Sequence, residues 1–128
     1  MKTPPTKLDL GLCMRVRSAL RWAHYFTPAG FAHEHYDAAT KQFDKYMDAF
    51  IELYSFFYGK TNWVRNIEAL PNFPKPDREG VADLSEMELD KLERHLVQVT
   101  GDNKDLDNIL RDLTSYTRRE LGLARNYL

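Results

Sequence analysis

A chain of 128 residues holds one domain with one core, and a hydrophobic fraction of 43% with 12% aromatics excludes a wholly disordered polypeptide. Lysine and arginine number 18 against 19 acidic residues, for a net charge of -1, so nucleic acid is not the expected main partner. A single cysteine, Cys13, excludes an internal disulfide and fits a reducing, cytoplasmic setting. No secretory signal or membrane span is expected, because Arg15 and Arg17 cut short the apolar run over residues 8–14.

The chain opens on a polar tail, residues 1–7, with Pro4 and Pro5; residues 8–128 are expected to form a single domain. Leu12, Val16, Ala19, Leu20 and Ala23 recur at helical spacing and predict a first helix over residues 8–26, ended by Thr27, Pro28 and Gly30. A second helix is predicted over residues 31–58, with Tyr36, Phe43, Met47, Phe50, Ile51, Tyr54 and Phe57 as its apolar stripe and Gly59 as its stop. Pro71, Pro74 and Pro76 make residues 60–82 a connection, in which Trp63, Val64 and Ile67 are suited to plug a bundle end. Ser85 and Glu88 fit a capping box for a third helix that Gly101 ends. A fourth helix carries Leu106, Ile109, Leu110, Leu113, Tyr116, Leu123 and Tyr127.

No strand pattern is visible. Short loops make helices 1–2 and 3–4 antiparallel hairpins, and the long middle segment predicts an all-α four-helix bundle, ferritin-like, with a crossover between helices 2 and 3. Phe43, Met47, Ile51 and Tyr54 are expected to pack inward with Leu110 and Leu113.

The second helix also carries a polar strip. Taking His33 as zero and about 100° per residue, Asp44, Asp37, Asp48 and Glu52 fall at roughly 20, 40, 60 and 100°. Lys41 and Lys45, at roughly 80 and 120°, are taken as its margin, and the strip is read as lacking a neutralising lysine or arginine. His35 falls on the far side, where solvent is expected. Acidic residues beside lysines on a helix edge are ordinarily a solvated face. The strip nevertheless has internal symmetry, since His33 with Glu52, and Asp37 with Asp48, share one midpoint between Gln42 and Phe43.

That midpoint bears on geometry. His33 and Glu52 are separated by roughly 28 Å along the axis at 1.5 Å per residue, so one ion cannot touch both in one chain. Antiparallel pairing of the helix with its copy across a two-fold axis near Gln42 and Phe43 would bring His33 to Glu52 and Asp37 to Asp48. Mixed imidazole and carboxylate ligands suit iron, manganese or zinc. His24, at the end of helix 1, is carried by the hairpin toward His33; its alternative is a core-edge histidine bonded to the loop. His95 has no ligand-type neighbour at helical spacing and reads as structural.

The pattern His24, His33, Asp37, Asp48 and Glu52 resembles the ferroxidase signature of the Dps miniferritins, whose iron site lies between two subunits. The spacings from His33 through Glu52 match; the loop between His24 and His33 is shorter, and the tryptophan usual after the first histidine is Tyr25, with Trp22 two positions before His24. Short phage-encoded ferritin-like proteins of unknown function are more similar, sharing the shorter histidine spacing and a helix ending like "DAFIELYSFFYGK". The resemblance covers residues 15–60. It implies a four-helix bundle, at least a homodimer, and metal ligands at those five positions, with iron oxidation by oxygen or peroxide as the activity. The Glu-x-x-His pair of intrasubunit di-iron bundles is absent, since Leu92 stands three before His95.

Two functions follow. The first is a metal-binding, ferroxidase-like protein with its site between subunits. The second is a non-enzymatic interaction protein that keeps the bundle and its dimer face and binds a host protein. Compaction of DNA would rest on Lys2 and Lys7, too few to matter.

Overall fold

The computed structural model describes residues 3–65 and 77–128, and these are all-helical but for two short extended pairs. The elements are β1 (Leu8–Asp9), α1 (Leu10–Phe26), α2 (Phe31–Tyr58), a 3-10 turn (Lys60–Asn62), β2 (Trp63–Val64), α3 (Arg78–Thr100) and α4 (Lys104–Asn126).

Local chemistry sets most of these boundaries. Asp9 caps α1 by accepting from Gly11 N at 2.9 Å, and the Thr27-Pro28 step ends it. Gly59 closes α2 at φ 83°, a conformation that glycine adopts without steric cost, and its N–H reaches Ser55 O. Asn103 starts α4, its side chain accepting from the N–H groups of Asp105 and Leu106, both at 3.1 Å.

Two expectations are corrected here. The third helix begins at Arg78 with Asp77 as its cap, accepting from Gly80 N at 2.6 Å, and not at a Ser85–Glu88 capping box. Ser85 and Glu88 are buried inside α3, where Ser85 Oγ donates back to Val81 O and Glu88 pairs with Arg15. The helix-1 pattern also starts two residues early, because Leu8 and Asp9 are extended. They pair in parallel with Trp63 and Val64, so a minimal strand pair exists where none was read. Tyr54 Oη fastens this corner, accepting from Leu8 N and donating to Asn62 O, both at 3.3 Å. Trp63 packs against the core there, as a plug would; Ile67 lies outside the described residues. Pro4 is buried, and Pro5 lies so close to Gly101 that a Cβ on the glycine would meet Pro5 Cγ at 3.1 Å.

The principal packing is α1 on α2, α1 on α3, α2 on α4 and α3 on α4. Every adjacent pair is antiparallel. Along α1, Asp9, Arg15 and Ala19 meet His95, Glu88 and Ser85 in descending order. Along α2, His35 and Tyr46 meet Glu120 and Tyr116. Hence α2 and α3 run the same way, and Val64 and Asp77 lie at opposite ends of the bundle. Phe43, Met47, Tyr54, Leu110 and Leu113 are buried as read from periodicity, whereas Ile51 is only partly buried at the core's edge.

Candidate metal centre

The α1–α2 hairpin brings His24 and His33 into ring contact, with centroids 3.9 Å apart and planes inclined by 31°. Each is orientated by the backbone. His24 Nδ1 donates to His33 O at 3.2 Å, and His33 Nδ1 donates to Thr27 O at 3.0 Å. A carbonyl oxygen can only accept, so Nδ1 is the donor in each ring, which in the neutral form puts the lone pair on Nε2. Both alternatives read for His24 therefore hold together: it bonds to the hairpin backbone, and it lies against His33. Such an outer hydrogen bond is what fixes the orientation of metal-ligating histidines.

Asp37 follows His33 by one turn. Its carboxyl is held below the ordinary carboxylate range, first by the Lys41 hydrogen bond; burial opposes this, and the Lys41 charge, with that of His24 and His33 when protonated, adds to the lowering. Lys41 Nζ lies 2.9 Å from Asp37 Oδ2, with the two side chains 76% and 44% exposed. Arg17, from α1, meets Asp44 at 3.3 Å. The strip is thus not free of cations, in contrast to the expectation from sequence. A lysine at i+4 reaches back one turn, and a neighbouring helix contributes the arginine. Both pairs are exposed, so each contributes well under about 1 kcal/mol.

Asp48 and Glu52 are exposed and lie beyond Asp44, toward the other end of α2. Asp48 borders a groove of about 210 Å³ between α1 and α2, with Cys13, Met14, Arg17 and Met47 among its walls. One chain therefore brings His24 and His33 together, sets Asp37 beside them, and leaves Asp48 and Glu52 apart. Among the described residues, no three histidine, cysteine, aspartate or glutamate side chains of one chain form a metal-holding group.

The other histidines are structural in different ways. His95 Nε2 accepts from Asp9 N at 2.8 Å, and burial holds its pKa below the ordinary histidine value, with Asp9 opposing. His35 is not solvated as expected. Its Nδ1 donates to Glu120 Oε2 at 2.7 Å and its ring stacks on Tyr127, because the far side of α2 faces α4.

Sequence reasoning also missed three ionic clusters. Arg15 forks onto Glu88 at 2.8 and 2.9 Å. Arg118 takes Asp90 and Glu93, and Arg125 takes Asp83 and Glu86. The signal for the last two was present: acids at 83, 86, 90 and 93 follow one helix face, and arginines at 118 and 125 are two turns apart. No helix of the described residues is long and apolar enough to cross a membrane. Comparison with family models, with curated proteins and with solved structures finds no match to this chain.

Proposed function

We propose that this is a ferritin-like, metal-binding protein whose site forms between two copies of the chain. The observation that carries the reading is the His24–His33 pair: two imidazoles in contact, each bonded to the backbone through Nδ1, one turn before Asp37. That donor set fits iron, with manganese or zinc as alternatives. His24, His33 and Asp37 would be supplied by one copy, and Asp48 and Glu52 by the other, in the register centred between Gln42 and Phe43. The ferritin-like connectivity, with a crossover between α2 and α3, is supported by the shared direction of those helices and by the opposite positions of Val64 and Asp77. Bound iron would supply electrons to oxygen or peroxide. The chain's own part is to fix the rings and to gather carboxylates. A cytoplasmic location, phage origin and a homodimer or larger assembly belong to the same reading.

The interface would gather six carboxylates, counting Asp37, Asp48 and Glu52 twice, offset in part by Lys41 on Asp37. A divalent cation bound there should strengthen association. Sedimentation at equilibrium, with chelator and then with manganese, tests this: the dimer constant should tighten with metal in the parent protein and stay unchanged in Glu52→Ala. A metal-independent monomer would remove the shared site.

A second reading, a non-enzymatic protein that binds a host protein, is favoured by exposed aromatics at one bundle end. Tyr25 and Phe31 are 65% and 64% exposed, with Phe26 and Tyr127 nearby in the same corner. Retention of dimerisation without any metal effect would support it.

A further inference from the structure

The outermost face of α2 carries Glu34, Lys41, Lys45, Asp48, Glu52 and Phe56, all exposed and within an arc of roughly 80°. Its central charges are sorted along the axis: Lys41 and Lys45 come first, Asp48 and Glu52 follow. Each like-charged pair is one turn apart, a spacing at which like charges repel. The chain itself offsets little of this. Lys41 Nζ meets Asp37 Oδ2 at 2.9 Å, and Lys45 Nζ lies 5.2 Å from the centroid of the Tyr46 ring. Among the described residues no ion pair joins Lys45, Asp48 or Glu52. Phe56, 77% exposed, has the most exposed of the large apolar side chains described. Lys45 with Asp48, and Lys41 with Glu52, share one midpoint, between Tyr46 and Met47.

We propose that the metal-free protein pairs with a second copy through this face, the two α2 helices antiparallel about a two-fold axis between Tyr46 and Met47. Lys45 of each copy then meets Asp48 of the other, and Lys41 meets Glu52, so each kind of pair is made twice. The Lys41 ammonium has three donors and can take Glu52 while keeping Asp37. Phe56 comes to lie over the small Ala38 and the stem of Lys41 of the other copy. Parallel pairing in register would set lysine on lysine and acid on acid, so charge selects the antiparallel arrangement. This register needs no metal. It differs by a slide of eight residues, about 12 Å, from the one centred between Gln42 and Phe43, where Asp48 comes opposite Asp37 and Lys45 opposite Thr40.

Sedimentation equilibrium with chelator present, at about 0.05 M salt where surface charges are weakly screened, tests this interface. The set is the parent protein, Lys45→Glu, Asp48→Lys and the Lys45→Glu/Asp48→Lys double variant. Both positions are exposed, so the fold is retained and is checked by circular dichroism. The parent should dimerise. Each single variant should weaken the dimer by about five- to twentyfold, since the axis turns two attractive pairs into two repulsive ones. The double variant exchanges the two charges and should recover the parent's constant. Asp48→Lys also separates the registers: about Gln42 and Phe43 the new lysine would face Asp37 and tighten association. A tighter dimer in Asp48→Lys, single variants equal to the parent, or no recovery in the double variant would overturn the proposal. A parent that is monomeric with chelator and dimerises on addition of manganese would overturn it and leave the shared metal site standing. A dimer that behaves as expected in all four proteins and does not respond to manganese would support this interface and remove the metal site.

Discussion

Glu88 is a carboxylate with no exposed side-chain surface, and its behaviour follows from its partners. Burial alone would raise its pKa, but the fork from Arg15 and the nearby Lys91 outweigh it, so the group stays below the usual glutamate value. Removing one partner of a buried pair leaves an uncompensated charge. Arg15→Met should therefore cost roughly 3 kcal/mol in a urea melt near neutral pH, several times the effect of removing an exposed partner such as Arg17. His95 gives the pH signature. Below about 6.5, its unfolded value, the unfolded histidine takes up a proton that the folded one, accepting from Asp9 N, resists. The unfolded state then binds more protons, so stability is complete above that pH and declines as pH falls beneath it. Urea melts at pH 7.5 and 5.5 should show a smaller loss in His95→Gln than in the parent. An equal loss in both would mean that another group carries it.

At the scale of elements, periodicity was enough for α2, whose bounds follow the apolar stripe from Phe31 to Gly59, and for the first half of α4 at Leu106, Leu110 and Leu113; further along, Leu121 and Ala124 are buried where Tyr116, Leu123 and Tyr127 were expected, because the helical stripe drifts round the helix. Leu113 has no exposed surface, and its replacement by alanine should cost roughly 2–5 kcal/mol in a denaturant melt. A change near zero would mean that α4 packs by a different face. The start of α3 was not legible. Ser85 and Glu88 have the spacing of a capping box, but the first two turns of α3 lie after a proline-rich stretch that reads as loop. Tertiary burial, not local capping, decides what the two residues do. The β1–β2 pair was also invisible, since two residues are too few to display an alternation.

For the whole molecule, the placement of candidate ligands was legible in one respect and not in another. The nine-residue spacing of His24 and His33 across a Pro-Gly break implied their meeting, and the hairpin produces it. Of the cations on the strip, Lys41 was legible, since its angle of roughly 80° falls between Asp48 and Glu52, whereas Arg17 was not, because angles along α2 do not show what an adjacent helix contributes. The two-fold register proposed for metal rests on the symmetry of α2 about Gln42 and Phe43, and it would make the proposed metal site a property of two chains. Calorimetric titration of chelator-treated protein with ferrous iron, without oxygen, tests that claim most directly. The account predicts saturable binding at micromolar iron in the parent protein and its loss in the His33→Ala/Glu52→Ala variant, which removes one ligand from each end of α2. Absence of saturable binding, or an unchanged stoichiometry in that variant, would contradict it.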